Sequence, residues 1–198
     1  MNIFRLDNDP KIAAQMMCDK HVVKMIVEYG QLLSTAHRIL DGVPRKQPSK
    51  SGKRMVDHYV IDGAAREELL YKVCHKNHPS AIWARANTSN YRWLYLHFQE
   101  AAKEYTRRYN KVHLTYEKLG SMLWLCPFNI VNARETIMPQ CMPDDCKKMN
   151  VVDAYRDLTS EKTTLLSPPM SATPEDTTLG VPGDTIPICS TEATDCSP

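Results

Sequence analysis

No two cysteines in this chain stand as a C-x-x-C pair, and no apolar run approaches the roughly 18 residues that a membrane helix needs. The first absence removes the usual zinc-ribbon and dithiol redox signatures. Cys141 and Cys146 could be metal ligands only if His or Cys partners came from elsewhere. The second absence removes a membrane-spanning helix. No segment alternates apolar and polar residues as a half-buried strand does, and no stretch repeats itself, which excludes β-sandwich and solenoid architectures. The seven cysteines are an odd number without a signal peptide before them, which points to a reducing, cytoplasmic setting.

Charge is missing in a more telling way. From Thr163 to Pro198 there is no Lys or Arg, against five acids (Glu175, Asp176, Asp184, Glu192, Asp195). All 25 basic residues therefore lie in the first 162, with 18 acids, so the body carries +7 and the tail −5. A basic body favours a polyanionic partner. The tail is rich in Thr, Ser and Pro and poor in aromatics, too little apolar surface to repay its ordering entropy. The expected organisation is a folded domain over residues 1–162 and a disordered acidic tail over 163–198.

What is present reads as helix. Asn8-Asp9-Pro10 is a start signal, a capping Asx with Pro at the first helical position, and the apolar pattern then runs to Leu40 before Asp41-Gly42 ends it. Val43 to His58 is a basic loop, either a solvated surface or a phosphate-contact surface. Further helices are expected from Asp62 to Cys74, from Asn77-His78-Pro79 onward with a possible new cap at Asn87-Thr88, and from Thr115 to Leu125. After Pro127 an extended, Pro- and Met-rich segment should wrap the body. The fold class is all-α: a compact single-domain helical bundle around a long central N-terminal helix.

The first helix carries one unusual stripe. His21, Lys24, Glu28, Gln31 and Thr35 recur at spacings of three and four, so they share a narrow sector. Val, Met, Ile and Leu flank them, as on a central helix. Unpaired buried polar groups cost on the order of 1–3 kcal/mol each. The stripe is therefore the helix's wet face, or it lines a cleft. A carboxylate beside Lys24 and His21 in a partly dry cleft suits acid–base work.

Asp19-Lys20-His21 followed seven residues later by Glu28 resembles the pyrimidine-dimer DNA glycosylase/AP-lyase family of phages and bacteria, the phage endonuclease V type. His78-Pro79, Trp83 and the aromatic-basic stretch Asn90 to Tyr109 resemble its later helices. The resemblance spans about residues 1–108. It implies a compact helical monomer that binds duplex DNA, extrudes a damaged or modified pyrimidine and attacks the sugar C1′ with its N-terminal α-amine, with no metal or organic cofactor. Glu28 would assist sugar opening and stabilise the iminium. An α-amine titrates near 7.7–8.0 against about 10.4 for Lys, so more of it is neutral at pH 7. The same resemblance makes Arg5, His21, Lys24, Gln31, His78 and Arg85 the candidates for DNA contact.

The chain departs from the family pattern at several points. Asn2 is a poor residue for removal of the initiator, so the amine falls to Met1 or Asn2. Val27 and Gln31 stand where the family carries basic residues, and the aromatic, basic C-terminal segment gives way to the tail. Two other functions remain open on the residues: a DNA-binding protein without catalysis, and an enzyme acting on hypermodified phage bases. Likewise His78 is a helix cap or a site residue, and Trp83, Trp93 and Trp124 are core or base-stacking platforms.

Overall fold

The structure is a computed structural model that describes residues 1–49 and 51–164, with side chains described to Ser160. Helix α1 spans Pro10–Gln15, with the Asp9 carboxylate accepting from the Lys11 N–H at 2.8 Å. The expected unbroken helix to Leu40 does not form. The chain turns at Met16 to Cys18, and α2 begins afresh at Asp19 and runs to Asp41. A continuous helix over both would be about 45 Å long, carrying its first turns past the body. The turn instead lays α1 and α2 both against the later helix α5 and buries Ala13, Ala14 and Met17. Beyond α2, Gly42 is required by close approach: a Cβ there would lie 2.4 Å from the Arg38 carbonyl oxygen.

The fold is mostly helical but not all-α, because the basic loop is a β-hairpin. Strands β1 (Val43–Pro48) and β2 (Met55–Val60) pair antiparallel, with Arg45 opposite His58 and Lys46 opposite Asp57. Every residue of β1 is exposed. Its apolar alternation is therefore absent, and Pro44 and Pro48 are tolerated because both strands of a two-stranded ribbon are edges. Such a ribbon is marginal alone. Arg38, 2 % exposed, ties it down. Its guanidinium donates to the carbonyls of Tyr59, Glu67, Leu70 and Tyr71 at 2.8–2.9 Å and to the Glu67 carboxylate at 2.7 Å. Those bonds also explain why helix α3 covers only Ala64–Leu69 rather than running to Cys74. Carbonyls that a longer helix would use are held by Arg38, and Leu70 is already extended.

Helix α4 (Pro79–Ala86) is capped by His78, whose Nδ1 accepts from the Ser80 N–H. The expected break follows, with Asn87 capping α5 (Thr88–Tyr109), which ends on Asn110 in the left-handed region. Helix α6 (Leu114–Leu123) crosses α2, and Gly30 admits it: a Cβ there would lie 2.9 Å from Thr115 Cγ2. The core is Tyr29, Leu32 and Leu33 of α2 against Tyr91, Leu94, Phe98 and Ala101 of α5 and Leu119 and Leu123 of α6. Trp83 and Trp93 are buried in it, while Trp124 is exposed. Two histidines sit inside: His97 bonds the Tyr29 hydroxyl and the Pro10 carbonyl, and His37 bonds the Tyr91 hydroxyl.

The segment after Pro127 is extended over the body, as expected. Thr136 bonds Asn90 through N–H and hydroxyl, and its carbonyl accepts from Trp83 Nε1 at 3.0 Å. A 3-10 turn at Asp144–Cys146 leads to α7 (Val151–Thr164). That helix had not been expected. It packs on the N-terminal residues, where Arg156 donates to the Leu6 carbonyl at 2.7 Å and to Asp7 at 2.9 Å. The tail expected from Thr163 lies, beyond Thr164, outside the described residues. Among the described residues no helix is long and apolar enough to cross a membrane.

Candidate active site

Residues 1–7 form no regular element, yet they are anchored by burial. Ile3 and Leu6 are fully buried, Phe4 is nearly so, and the Met1 side chain packs on the core. This fixes the chain terminus along the N-terminal half of α2, from His21 to Glu28. The Met1 nitrogen lies 3.8 Å from Glu28 Oε2, and the Asn2 backbone N–H donates to the same oxygen at 3.2 Å. Lys24, one turn earlier and largely exposed, reaches Glu28 Oε1 at 3.4 Å. The Glu28 side chain is itself only 16 % exposed. One carboxylate thus faces an α-amine on one oxygen and a lysine ammonium on the other.

The rest of the stripe divides. His21 stacks on Phe4 with ring centroids 4.3 Å apart and planes 14° from parallel, so it joins the terminus to α2. Gln31 is half-buried beyond Glu28. Thr35 is fully buried; its hydroxyl accepts from the Cys74 N–H at 3.3 Å and seals the far end of the stripe. The stripe is thus open around Glu28 and closed at Thr35.

His78 stands beside this centre as well as capping α4. Burial lowers its pKa, and the positive N-terminus and His75 push in the same direction, with Glu28 opposing. His78 is thus biased towards the neutral form while a cationic amine is near. An open groove of about 860 Å³ runs from His78 past Met138, Cys141 and Met142 to Lys147. Arg85 lies farther along α4, half-buried, with Nη1 lacking a hydrogen-bond partner among the described residues. Desolvation lowers its pKa. Arg5 pairs with Glu135 and Asn8 and lies 4.6 Å over the Trp93 ring; a phosphate would have to compete with those partners. Among the described residues no three His, Cys, Asp or Glu side chains gather as a metal ion would require.

Three contributors escaped the sequence reading. Arg38 gave no signal, because helical spacing cannot say which carbonyls a buried arginine will collect. Tyr155 and Cys141 hold the Asn2 side chain from the C-terminal part of the chain. Tyr155 was findable: Val151, Val152, Ala154, Tyr155 and Leu158 follow a helical spacing, and Asn150 caps them by accepting from the Val152 N–H.

Compared with known proteins, the sequence matches the family profile described as pyrimidine dimer DNA glycosylase over residues 1–117. No curated protein and no solved structure matches it significantly.

Proposed function

The chain belongs to the pyrimidine dimer DNA glycosylase family, and from that premise we propose that it is a DNA glycosylase with AP-lyase activity whose nucleophile is the N-terminal α-amine. The observation that carries this reading is the convergence of that amine and Glu28, 3.8 Å apart in a half-buried cleft. Its substrate is a damaged or modified pyrimidine in duplex DNA. Extrusion of the base costs a few kcal/mol, least where pairing is already weakened. The neutral amine attacks C1′, the bond from C1′ to the base breaks, and the base leaves with the bonding pair. Glu28 takes part in proton transfer as the sugar ring opens at O4′, and its negative charge stabilises the iminium that results. Loss of a C2′ proton then expels the 3′ phosphate and nicks the strand.

The surroundings suit DNA. The exposed β1–β2 ribbon brings Arg45, Lys46, Lys53 and Arg54 to the surface, and a two-stranded ribbon fits a DNA groove or follows its backbone. Lys24 is the rival nucleophile, since it touches the same carboxylate.

Borohydride trapping on an abasic-site duplex, with the crosslinked peptide mapped, decides between them. The crosslink is expected on the N-terminal peptide. Glu28→Gln should keep DNA affinity and lower strand cleavage by about 10²–10⁴-fold, the usual contribution of a positioned acid–base group. A crosslink on Lys24, or cleavage by Glu28→Gln at the parent rate, overturns the assignment.

A further inference from the structure

The amine that meets Glu28 stands at the end of the chain, where residues ordinarily fray. Something must hold it, and the bonds at Asn2 do so from two sides. Its backbone N–H is on Glu28 at 3.2 Å. Its side chain points the other way, into the C-terminal part of the molecule. Asn2 Oδ1 accepts from the Tyr155 hydroxyl at 2.7 Å and from the Ile3 N–H at 2.8 Å, and Nδ2 donates to the Cys141 carbonyl at 3.1 Å. The Tyr155 oxygen also accepts from the Cys141 N–H at 3.2 Å, with the Pro139 carbonyl 3.3 Å away.

Tyr155 is fully buried, and burial drives its pKa far up, so it remains a hydroxyl donor at any working pH. Its ring meets Phe4 edge-on at 5.9 Å, and Phe4 stacks on His21 of the stripe. One turn of α7 therefore reaches the active carboxylate through Asn2 and the stripe through Phe4.

We infer that Tyr155, with the Cys141 backbone, is a clamp that positions the Met1 amine on Glu28 by gripping the Asn2 side chain. The inference rests on the reading of that amine as the nucleophile. In a chain that retains Met1, Asn2 is a positioning residue, its own nitrogen being the amide that bonds Glu28. Residues 138–158 lie outside the 1–117 stretch that matches the family profile. A displacement of about 1 Å in a reacting group costs on the order of 10²-fold in rate. Loss of the clamp should therefore appear in the chemical step and not in DNA binding.

The test uses the full chain, shown by intact mass to begin with Met1, and the Tyr155→Phe variant. Two quantities are read. The first is the single-turnover trapping rate at saturating abasic-site duplex, beside the Kd for that duplex. The second needs no DNA: the rate at which formaldehyde and cyanoborohydride methylate the terminal amine, followed peptide by peptide. Tyr155→Phe should trap about 10–100-fold more slowly with Kd within twofold, and its terminal amine should label several-fold differently from the parent while the lysine peptides keep their rates. Asn2→Asp, which retains Met1 and loses the Nδ2 donor, should move both readouts in the same direction and serves if Tyr155→Phe fails to fold. Labelling and trapping both within twofold of the parent overturn the clamp, as does a purified chain lacking Met1. If the parent does not trap at its terminus but labelling still responds to Tyr155→Phe, the nucleophile reading falls and the grip of Tyr155 on the terminus stands.

Discussion

Replacing Arg38 by leucine removes the tie between the central helix and everything from the hairpin to Tyr71. Five hydrogen bonds go, four to backbone carbonyls and one to the Glu67 carboxylate. Left dry, four carbonyls at 1–3 kcal/mol each would cost about 4–12 kcal/mol, comparable to the whole stability of a domain. They would not stay dry, since Glu67 is one-third exposed and Tyr71 half-buried, and water can enter. Glu67 also keeps His58 and the Ile61 N–H as partners. The expected loss is about 4 kcal/mol, in the range for breaking one side of a buried ion pair. Urea unfolding followed by circular dichroism measures it. Hydrogen exchange should locate the damage in residues 55–71 while α2 and α5 remain protected. Glu67→Gln in the same background should cost less than it does in the parent, because the two groups share one network. A loss below about 1 kcal/mol, or strict additivity with Glu67→Gln, would refute the role given to Arg38.

Stability should also fall with acid. Burial is the main cause holding His97 and His37 down at about 4, helped at His37 by Arg66, against 6.5 in an unfolded chain. Below pH 6.5 the unfolded chain takes up protons that the folded one refuses, so stability drops from there to about pH 4, by up to roughly 3 kcal/mol per histidine; a flat denaturation midpoint between pH 7 and 4.5 would contradict this. Gly30→Ala should destabilise by about 1 kcal/mol, since crowding against Thr115 outweighs alanine's better helix propensity, and a raised melting temperature would refute that. DNA affinity should weaken with salt, and neutralising Arg45, Lys46 and Lys53 together should flatten the log–log slope by about 0.9 for each phosphate that is no longer neutralised; an unchanged slope would remove the hairpin from the interface.

Local pattern carried the parts of the fold that local pattern makes. The caps at Asp9, His78 and Asn87 follow from side chains that satisfy nearby backbone groups, and the end of α2 from the glycine at position 42; their spelling is short-range. The polar stripe was legible because a central helix has few reasons to carry Glu28 among Val and Ile. The turn at Met16 to Cys18 was not, because its residues are as apolar as those of the helices on either side. The hairpin left no alternation to read, since β1 faces water throughout and contains two prolines. Hardest of all was the grip of α7 on the terminus. Asn2 and Tyr155 are 153 positions apart, and no periodicity spans that distance.

That separation orders events during synthesis. The first residues to leave the ribosome are the last whose position is fixed, because Asn2 and Asp7 wait for Tyr155 and Arg156. At roughly 5–20 residues per second, that wait is on the order of 10–30 s. Through it the nascent chain carries an unclasped terminus, and Phe4 and the Leu6 carbonyl lack the helix that meets them. A ribosome stalled before Tyr155 would hold a molecule whose Asn2 side chain lacks its tyrosine donor.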